Sequence, residues 1–336
     1  MSARPLVSAR GLSVHFRLRG PLLRPKPLLK AVEDVSIDIA RGEVLGLVGE
    51  SGSGKTTLGR ALLRAAPISR GKVRYDDGET ACDLHALKGD ALRAYRRRAQ
   101  YIFQDPYAAL SPRMTVRDII AEPLEVMRLT RSREETDARV RETAARCRLN
   151  LEHLRRFPHA FSGGQRQRIA IARALVSGPR FVVADESVAA LDVSIKADVL
   201  NLLKAVRREM GLTVLFISHD LSVVAHLCDR VAVMYLGRIV ETAPTRALFS
   251  APRHPYTAAL LSAIPSLDPD DRSSARGIEG EIPSPTRPPP GCTFHTRCPH
   301  AGELCRRVEP VPERAGEGRT VACHRWREMA GGAPGA

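Results

Sequence analysis

Three short runs of apolar residues lie along the chain, separated by segments of other periodicity. They are residues 44–48, 181–184 and 213–217, and each has the length of a buried strand rather than of a helix. Between the second and third runs, apolar residues recur at helical spacing over residues 194–210. Buried strands that alternate with helices are typical of α/β proteins, so this pattern predicts a largely parallel sheet.

The segments around these runs predict further strands and helices. Residues 31–39 alternate between apolar and polar side chains and residues 7–16 alternate more loosely, which predicts half-exposed strands. A short β segment and a charged helix are predicted over residues 72–103, and a hairpin over residues 230–242. Residues 114–157 predict helices, because Glu and Arg recur there at three- and four-residue spacing.

Composition changes after Pro265. Residues 266–290 are rich in Asp, Ser, Pro and Gly and end in three consecutive prolines, which is typical of a linker. A short tail with four cysteines follows. We therefore expect one large domain over residues 1–265 and an extension over residues 266–336.

The formal net charge of the 336-residue chain is +15, which is compatible with binding to nucleic acid or to an acidic membrane surface. Against that interpretation, the arginines are spread over predicted helix faces, and aromatic residues make up only 4%, which is poor for base stacking. No apolar run approaches the roughly 18 residues of a membrane span, and the N-terminus lacks the apolar core of a signal peptide. We expect a soluble, cytoplasmic protein, a location that still allows docking on a membrane protein.

A phosphate-binding loop follows the first buried run. Its residues are Gly49-Glu50-Ser51-Gly52-Ser53-Gly54-Lys55-Thr56-Thr57, which fit G-x-x-x-x-G-K-[ST]. Glycines allow consecutive N–H groups to converge on phosphate oxygens, and a predicted helix over residues 57–64 adds its positive end. Lys55 is placed to reach the β- and γ-phosphates and Thr56 to ligate Mg²⁺. The loop predicts a site for a nucleoside triphosphate.

Polar residues with matching chemistry stand at the ends of other predicted strands. Asp185 can bind Mg²⁺ and Glu186 can orient the attacking water, as phosphoryl transfer requires. His219 can contact the γ-phosphate or water, and Gln104 can reach the metal or water. An isolated acidic pair is usually solvated and a lone histidine usually structural. The phosphate loop and the carboxyl-end rule for α/β sheets favour the functional interpretation here.

A second anion-binding segment is Ser162-Gly163-Gly164-Gln165 at the start of a predicted helix. Ser162 is a plausible N-cap, and a helix start with two glycines can cradle an anion. Two such cradles far apart in one chain suggest a composite site, in which the second cradle faces a nucleotide bound by another subunit.

Together with Ala190-Leu191-Asp192, these motifs resemble the ATP-binding cassette (ABC) ATPases over about residues 7–245. The resemblance implies a P-loop NTPase core of RecA type, a helical subdomain over about residues 105–178, a small antiparallel β subdomain, and ATP sandwiched in a dimer. It implies that Thr56, Gln104 and Asp185 bind Mg²⁺. It also implies catalytic roles for three residues: Lys55, Glu186 as the base, and His219 as the switch residue. Gln104 would also couple the site to a membrane partner. The implied ATP contacts are Phe16 on adenine, Gly49, Glu50, Ser51, Gly52, Ser53, Gly54, Lys55, Thr56 and Thr57 on phosphate, and Ser162, Gly163, Gly164 and Gln165 on the ATP of a partner subunit.

Two positions depart from the ABC pattern. Ser187 stands where proline usually follows the Asp-Glu pair, and Ala189 stands where serine is common. Neither change removes a catalytic group, so they bear on the rate of turnover rather than on ATP binding.

A narrower resemblance is to the ATPases of oligopeptide/dipeptide importers, a group that includes nickel importers. It is carried by His254-Pro255-Tyr256-Thr257, Leu260-Leu261-Ser262-Ala263-Ile264-Pro265, Phe103-Gln104-Asp105-Pro106, Leu110-Ser111-Pro112-Arg113 and the cysteine tail. The long loop after Phe16 is more similar to the second of the two ATPases that such systems pair. The implied partners are a homologous ATPase in a heterodimer, two membrane permeases and an external binding protein, with this chain peripheral on the cytoplasmic face of the inner membrane.

The implied function is ATP hydrolysis that energises uptake of oligopeptides or dipeptides, with nickel or another small solute as the alternative cargo. A soluble ABC ATPase acting on nucleic acid or ribosomes would carry two cassettes or a long coiled coil, and this sequence shows neither. A P-loop kinase is disfavoured by residues 162–165.

The tail cysteines are Cys292, Cys298, Cys305 and Cys323, spaced C-x5-C-x6-C-x17-C. Disulfides are not expected in the cytoplasm, and the tight cysteine pairs of zinc sites are absent. Four thiolates in a short tail suit an iron–sulfur cluster, and the importer resemblance implies [4Fe-4S]. Nearby His295, His300 and His324 keep zinc as an alternative. A third possibility is that the four cysteines are free thiols that bind no metal.

Overall fold

The computed structural model describes residues 4–18, 27–188, 192–263 and 280–330. The strands are β1 (Val7–Arg17), β2 (Leu28–Ile39), β3 (Val44–Val48), β4 (Arg70–Asp76), β5 (Ala81–Asp83), β6 (Ala99–Ile102), β7 (Phe181–Asp185), β8 (Thr213–Ile217), β9 (Arg230–Tyr235), β10 (Arg238–Pro244), β11 (Glu313–Arg314) and β12 (Thr320–Val321). The helices are α1 (Lys55–Leu62), α2 (Gly89–Arg98), α3 (Pro106–Ala109), α4 (Val116–Val126), α5 (Arg133–Arg146), α6 (Gly163–Leu175), α7 (Val193–Met210), α8 (Leu221–Leu227), α9 (Thr245–Ser250), α10 (Pro255–Ser262), α11 (Glu303–Arg307) and α12 (Trp326–Ala330). Two 3₁₀ turns lie at Leu151–His153 and Pro158–Ala160.

The main sheet confirms the predicted α/β class. Its strand order is β11-β12-β10-β9-β3-β8-β7-β6, and the five strands from β9 to β6 run parallel. All residues of β3, β7 and β8 are buried, as expected for strands covered on both faces. The predicted hairpin is formed by β9 and β10. Its two turn residues, Leu236 and Gly237, both have positive φ, which matches the right-handed twist of the flanking strands.

A second, antiparallel sheet of order β2-β1-β4-β5 lies over one face of the main sheet. Successive side chains of the buried strands therefore enter two different cores. Leu45 and Leu47 of β3 pack with the antiparallel sheet and α1. Val44 and Val48 pack with the helices on the opposite face. The phosphate loop begins at the end of this doubly buried strand, which gives it a rigid base.

The helices predicted over residues 114–157 are present as α4 and α5. Thr115 and Ser132 cap their first turns, each accepting a hydrogen bond from a backbone N–H three residues on. Both helices contact α6, so this part of the chain forms a helical layer beside the main sheet. Among the helices of the described segments, none combines the length and the apolar character needed to cross a membrane.

The C-terminal tail is joined to the main sheet. Strand β12 pairs antiparallel with β10 and also with β11, which extends the sheet at one edge. The buried ring of Phe294 packs against Tyr235 and Tyr256, with ring centroids 5.2 and 5.3 Å away. The predicted boundary at residues 265 and 266, and most of the predicted linker, lie outside the described residues, so the division into two domains stays a prediction.

Candidate functional site

Two glycines determine the path of the phosphate loop. Gly49 has φ of 151° and Gly54 has φ of 105°, in a region that favours glycine. A Cβ at Gly49 would lie 2.1 Å from the carbonyl oxygen of Met234, and one at Gly54 would lie 2.1 Å from that of Ala31. Only glycine fits at these two positions. The loop is therefore curled tightly onto β9 and β2 before α1 begins.

Lys55 lies inside this loop. Its Nζ donates hydrogen bonds to the carbonyl oxygens of Gly49 at 2.7 Å and Glu50 at 2.9 Å. Burial lowers the pKa of Lys55, and the carboxylates of Glu186, Asp185 and Glu50 oppose that shift. The ammonium group is thus enclosed where phosphate oxygens are expected.

The other loop residues complete the cradle. Ser53 is buried, and its backbone N–H donates to the carbonyl oxygen of Glu50 at 3.2 Å, which closes the turn. Ser51 and Gly52 are exposed, and Thr56 and Thr57 are half-buried in the first turn of α1. Helix α1 starts at Lys55, two residues before the predicted start, because Gly54 takes the N-cap position.

Asp185 ends strand β7 and is almost fully buried. Its Oδ2 accepts a short hydrogen bond from the hydroxyl of Tyr101. Its Oδ1 is buried and has no hydrogen-bond partner among the described residues. An unpaired buried carboxylate oxygen is costly unless a cation or an ordered water satisfies it. The donor set of this carboxylate and the Thr56 hydroxyl suits Mg²⁺, which prefers oxygen ligands.

Glu186 contacts two other residues that the sequence singled out. The Nε2 of Gln104 donates to Glu186 Oε2 at 2.7 Å, and Nδ1 of His219 lies 3.2 Å from Oε1. Glu186 itself has φ of 45°, an uncommon backbone conformation for a non-glycine residue. Its N–H donates to Ile217 of β8 at 2.9 Å. Gln104 after β6 and His219 after β8 therefore both contact the carboxylate of Glu186 after β7, as the carboxyl-end rule predicts.

The segment of residues 162–165 forms the start of α6. Ser162 Oγ accepts from the N–H of Gln165, and Oε1 of Gln165 accepts from the N–H of Ser162, which is a complete capping box. Ser162 and Gln165 are exposed, whereas a Cβ on the buried Gly164 would lie 2.3 Å from Ile195 of α7. The predicted N-cap is confirmed. Contact of these residues with the ATP of a second subunit stays a prediction.

Three other predictions have different outcomes. Phe16 is half-buried near the end of β1, opposite Leu29, and packs against the core beneath the antiparallel sheet. Its stacking on adenine stays a prediction. Ala189 and Ala190-Leu191 lie outside the described residues. Ser187, where proline was expected, is buried, and its Oγ has no hydrogen-bond partner within the described ranges.

Sequence reasoning missed two side chains that contact the phosphate loop. The N–H of Glu50 donates to the hydroxyl of Tyr256 at 2.8 Å. The guanidinium of Arg297 binds both carboxylate oxygens of Glu50, at 2.7 and 3.0 Å. No local pattern links positions that are 206 and 247 residues apart. Tyr256 belonged to a motif quoted only for resemblance, and Arg297, which lies between two of the tail cysteines, was not singled out.

The histidine of that motif has a structural role. His254 is fully buried, and its Nδ1 accepts from the N–H of Tyr256 at 3.0 Å, which caps α10. Burial lowers the pKa of His254 to about 3, so the ring is neutral at physiological pH. Since Nδ1 accepts, the proton is on Nε2, which is buried without a partner in the described part of the chain.

The four tail cysteines line one small cavity, together with His254 and Phe294. Burial raises the pKa of Cys292 to about 11 and also raises the pKa values of Cys298 and Cys323. Within the described ranges, no three His, Cys, Asp or Glu side chains converge closely enough to bind a single metal ion. The expected iron–sulfur cluster is therefore not supported by the arrangement of these side chains and stays a prediction.

An apolar groove lies between the helical layer and strand β6. Its volume is about 310 Å³, and its lining includes Tyr101, Phe103, Pro123 and Val126. Val126 is 74% exposed and Phe103 is 47% exposed, unusual values for such large apolar side chains. The groove adjoins residues of the predicted site, because Phe103 precedes Gln104 and the hydroxyl of Tyr101 hydrogen-bonds to the carboxylate of Asp185.

Comparison with known proteins identifies two regions. Residues 32–189 match the family model described as ABC transporter, and residues 240–305 match the oligopeptide/dipeptide transporter C-terminal region. A putative peptide import ATP-binding protein of Brucella ovis is 50% identical over 325 residues, 97% of this chain and 99% of that protein. The dipeptide transport ATP-binding protein DppF of Escherichia coli is 46% identical, over 95% of this chain and 94% of that protein.

Solved structures agree with the fold. A dimeric post-hydrolysis state of the ATP-binding cassette MJ0796, bound to ADP and Pi, matches with a TM-score of 0.62 and 28% identity. The match covers 71% of this chain and 99% of that one.

Proposed function

This chain belongs to the ABC transporter family, and on that premise we propose that it is the ATPase subunit of an importer for oligopeptides or dipeptides. The observation that carries the ATPase assignment is the meeting of Gln104, Glu186 and His219 beside a phosphate loop. The peptide cargo is supported by the names of relatives that match almost the whole chain, and by the tail region that they share.

In the proposed mechanism, the loop N–H groups and Lys55 bind the β- and γ-phosphates. Thr56, Asp185 and Gln104 would hold Mg²⁺, which supplies charge neutralisation on the phosphate oxygens. Glu186 orients the attacking water and accepts its proton, since its carboxylate lies at the end of a strand beside the phosphate loop and is partly accessible, with 17% of the side chain exposed. His219 and Gln104 fix both carboxylate oxygens in place, which limits the reorganisation needed during reaction.

We propose that the complete site forms between two ATPase subunits. The start of α6 presents exposed Ser162 and Gln165 while its capping box keeps the segment rigid. A helix start of this kind favours an anion such as the γ-phosphate of a partner's ATP. A homologous ATPase subunit in a heterodimer is the partner that the importer resemblance implies, and the dimeric state of the MJ0796 cassette is compatible with this arrangement.

The apolar groove is the proposed docking surface for a membrane permease. Exposed Phe103 and Val126 offer apolar contact, and the groove adjoins Gln104, so docking can affect the position of Glu186. Two permease subunits and an external substrate-binding protein complete the proposed importer. The chain would then be peripheral, on the cytoplasmic face of the inner membrane.

The first test replaces the proposed base. We expect Glu186→Gln to keep ATP binding, to trap an ATP-bound dimer and to reduce hydrolysis by at least about a hundredfold, because the amide cannot accept a proton. Phosphate release and size-exclusion chromatography with ATP measure the two effects. Glu209→Gln, which changes an exposed carboxylate paired with Arg146, is the matched control. Near-normal turnover of Glu186→Gln would contradict the assignment.

The cargo is tested separately in cells. A strain that lacks the chain should lose uptake of labelled dipeptides or oligopeptides and regain it on complementation with the wild type but not with Glu186→Gln. Nickel is the alternative cargo. Loss of nickel uptake with intact peptide uptake would replace the peptide assignment and leave the ATPase assignment unchanged.

We also propose that the tail cysteines bind a [4Fe-4S] cluster. Four thiols line one cavity. The Nε2–H of His254 is a buried donor without a hydrogen-bond partner among the described residues, and a sulfur ligand in the cavity can satisfy it. Protein purified without oxygen should contain iron and acid-labile sulfide and absorb broadly in the visible range. Cys305→Ser should remove these signals, whereas Cys82→Ser, on strand β5, should not. Stoichiometric zinc without iron would reject the cluster.

A further inference from the structure

The phosphate loop is tied to the tail by a buried ion pair. The guanidinium of Arg297 forms two parallel hydrogen bonds to the carboxylate of Glu50, the second residue of the loop. The Arg297 side chain is only 4% exposed and that of Glu50 is 24% exposed. The pKa of Arg297 is raised, first by its hydrogen bonds to Glu50. Bidentate pairs of this kind are strong and directional.

Neighbouring groups hold the pair in place. The guanidinium lies 5.8 Å from the ring centre of Tyr235, and the hydroxyl of Tyr256 accepts the N–H of Glu50. The backbone of Arg297 is fixed by a turn, in which its N–H donates to Phe294 at 3.0 Å. The backbone N–H and the carboxylate of Glu50 are therefore both bound by residues that come after the nucleotide-binding motifs in the sequence.

The charge of Glu50 makes this contact relevant to nucleotide binding. A carboxylate beside the loop would repel the phosphates of ATP, because like charges at short range in a partly buried site are costly. Arg297 neutralises that charge and keeps the Glu50 side chain turned towards the tail. Without Arg297, the carboxylate would be left partly buried and unpaired next to an anionic ligand.

Arg297 lies next to the cysteine cavity of the tail. Arg297 directly precedes Cys298, which lines the cysteine cavity. The N–H of Cys292 donates to the carbonyl oxygen of Cys305 at 2.8 Å, so the backbone on both sides of Arg297 is linked within one small unit. A change in the conformation of this unit would therefore move the Arg297 guanidinium. A change in the position of Glu50 would act on the unit through the same ion pair.

We propose that Arg297 is a positioning residue for ATP binding, which acts through Glu50 and couples the cysteine tail to the phosphate loop. The inference rests on the proposed function, in which this loop binds ATP. Coupling between two sites is reciprocal: if the ordered tail favours nucleotide binding, bound nucleotide must favour the ordered tail by the same factor.

The first experiment is a double-mutant cycle on ATP affinity in the full-length protein. Arg297→Gln should raise the dissociation constant and the KM for ATP about tenfold, while kcat at saturating ATP stays near that of the wild type. In a Glu50→Gln background the same change should cost far less, because no unpaired carboxylate remains. Arg307→Gln, which breaks an exposed ion pair with Glu303 in the same tail, is the matched control.

The second experiment measures the reciprocal effect at the tail. A non-hydrolysable ATP analogue should slow amide hydrogen exchange over residues 292–308 several-fold in the wild type, and much less in Arg297→Gln. Wild-type protein that binds no analogue would overturn the proposed function and this inference with it. Two results would overturn this inference alone. In one, Arg297→Gln binds ATP as tightly as the wild type. In the other, Arg297→Gln weakens ATP binding equally in the wild-type and the Glu50→Gln backgrounds.

Discussion

Asp185 and Glu186 are adjacent carboxylates with different surroundings. Asp185 is buried at the end of β7, with one oxygen bound by Tyr101 and the other without a partner among the described residues. Glu186 has a positive φ, lies half-buried and contacts Gln104 and His219. These different surroundings agree with the metal-binding role proposed for Asp185 and the base role proposed for Glu186. The sequence predicted the two roles, and the structure adds the different environments of the two carboxylates.

At the residue scale, Tyr101 is predicted to orient the metal ligand. Burial and the nearby Asp185 raise the pKa of Tyr101, so its hydroxyl stays protonated and donates. We expect Tyr101→Phe to raise the Mg²⁺ concentration for half-maximal ATPase activity about tenfold, because loss of an orienting hydrogen bond weakens metal affinity. A Mg²⁺ titration of ATPase activity measures this. Tyr107→Phe, whose exposed ring lies under Arg166, should leave the titration unchanged.

At the scale of the element, α6 shows how local and tertiary requirements combine. Ser162 and Gln165 form the capping box that the sequence predicts on local grounds. Gly164 is needed for a different reason, because α7 approaches so closely that a side chain would meet Ile195. The glycine therefore serves packing between two helices as well as the start of the proposed anion cradle.

Gly164→Ala tests that close approach. In an isolated helix this change stabilises by about 1 kcal/mol, but here the added Cβ would lie 2.3 Å from Ile195 Cγ2. We expect a net loss of about 1–3 kcal/mol, seen as a lower midpoint of thermal unfolding, because packed neighbours must shift. Adding Ile195→Ala should recover part of the loss. Gly302→Ala is the control, since no described atom lies within 4 Å of its added Cβ. Unchanged stability of Gly164→Ala would show that the helices separate freely.

At the scale of the molecule, the tail is part of the ATPase structure. It adds β12 to the edge of the main sheet, places Phe294 against two core tyrosines and sends Arg297 to the phosphate loop. The sequence suggested an extension behind a proline-rich linker, with chemistry of its own. In the structure, residues adjacent to those lining its cysteine cavity contact the phosphate loop, and the proposed coupling between tail and nucleotide rests on these contacts.

The sequence alone was sufficient for the α/β class, the phosphate loop, the capped start of α6 and the family, because each depends on short segments with strong local requirements. Glycine positions, apolar runs and caps carry this information wherever the segment lies in the fold. The meeting of residues from several strand ends was also predictable, since the carboxyl ends of parallel strands lie at one edge of the sheet.

Only the tertiary structure decided which distant side chains meet. The pairing of Glu50 with Arg297, the hydrogen bond from Glu50 to Tyr256 and the closeness of Gly164 to Ile195 join segments far apart in the chain. A contact between distant segments depends on how whole layers pack, and no local pattern encodes it. The phosphate loop was therefore predictable as a binding motif, but its attachment to the tail was not.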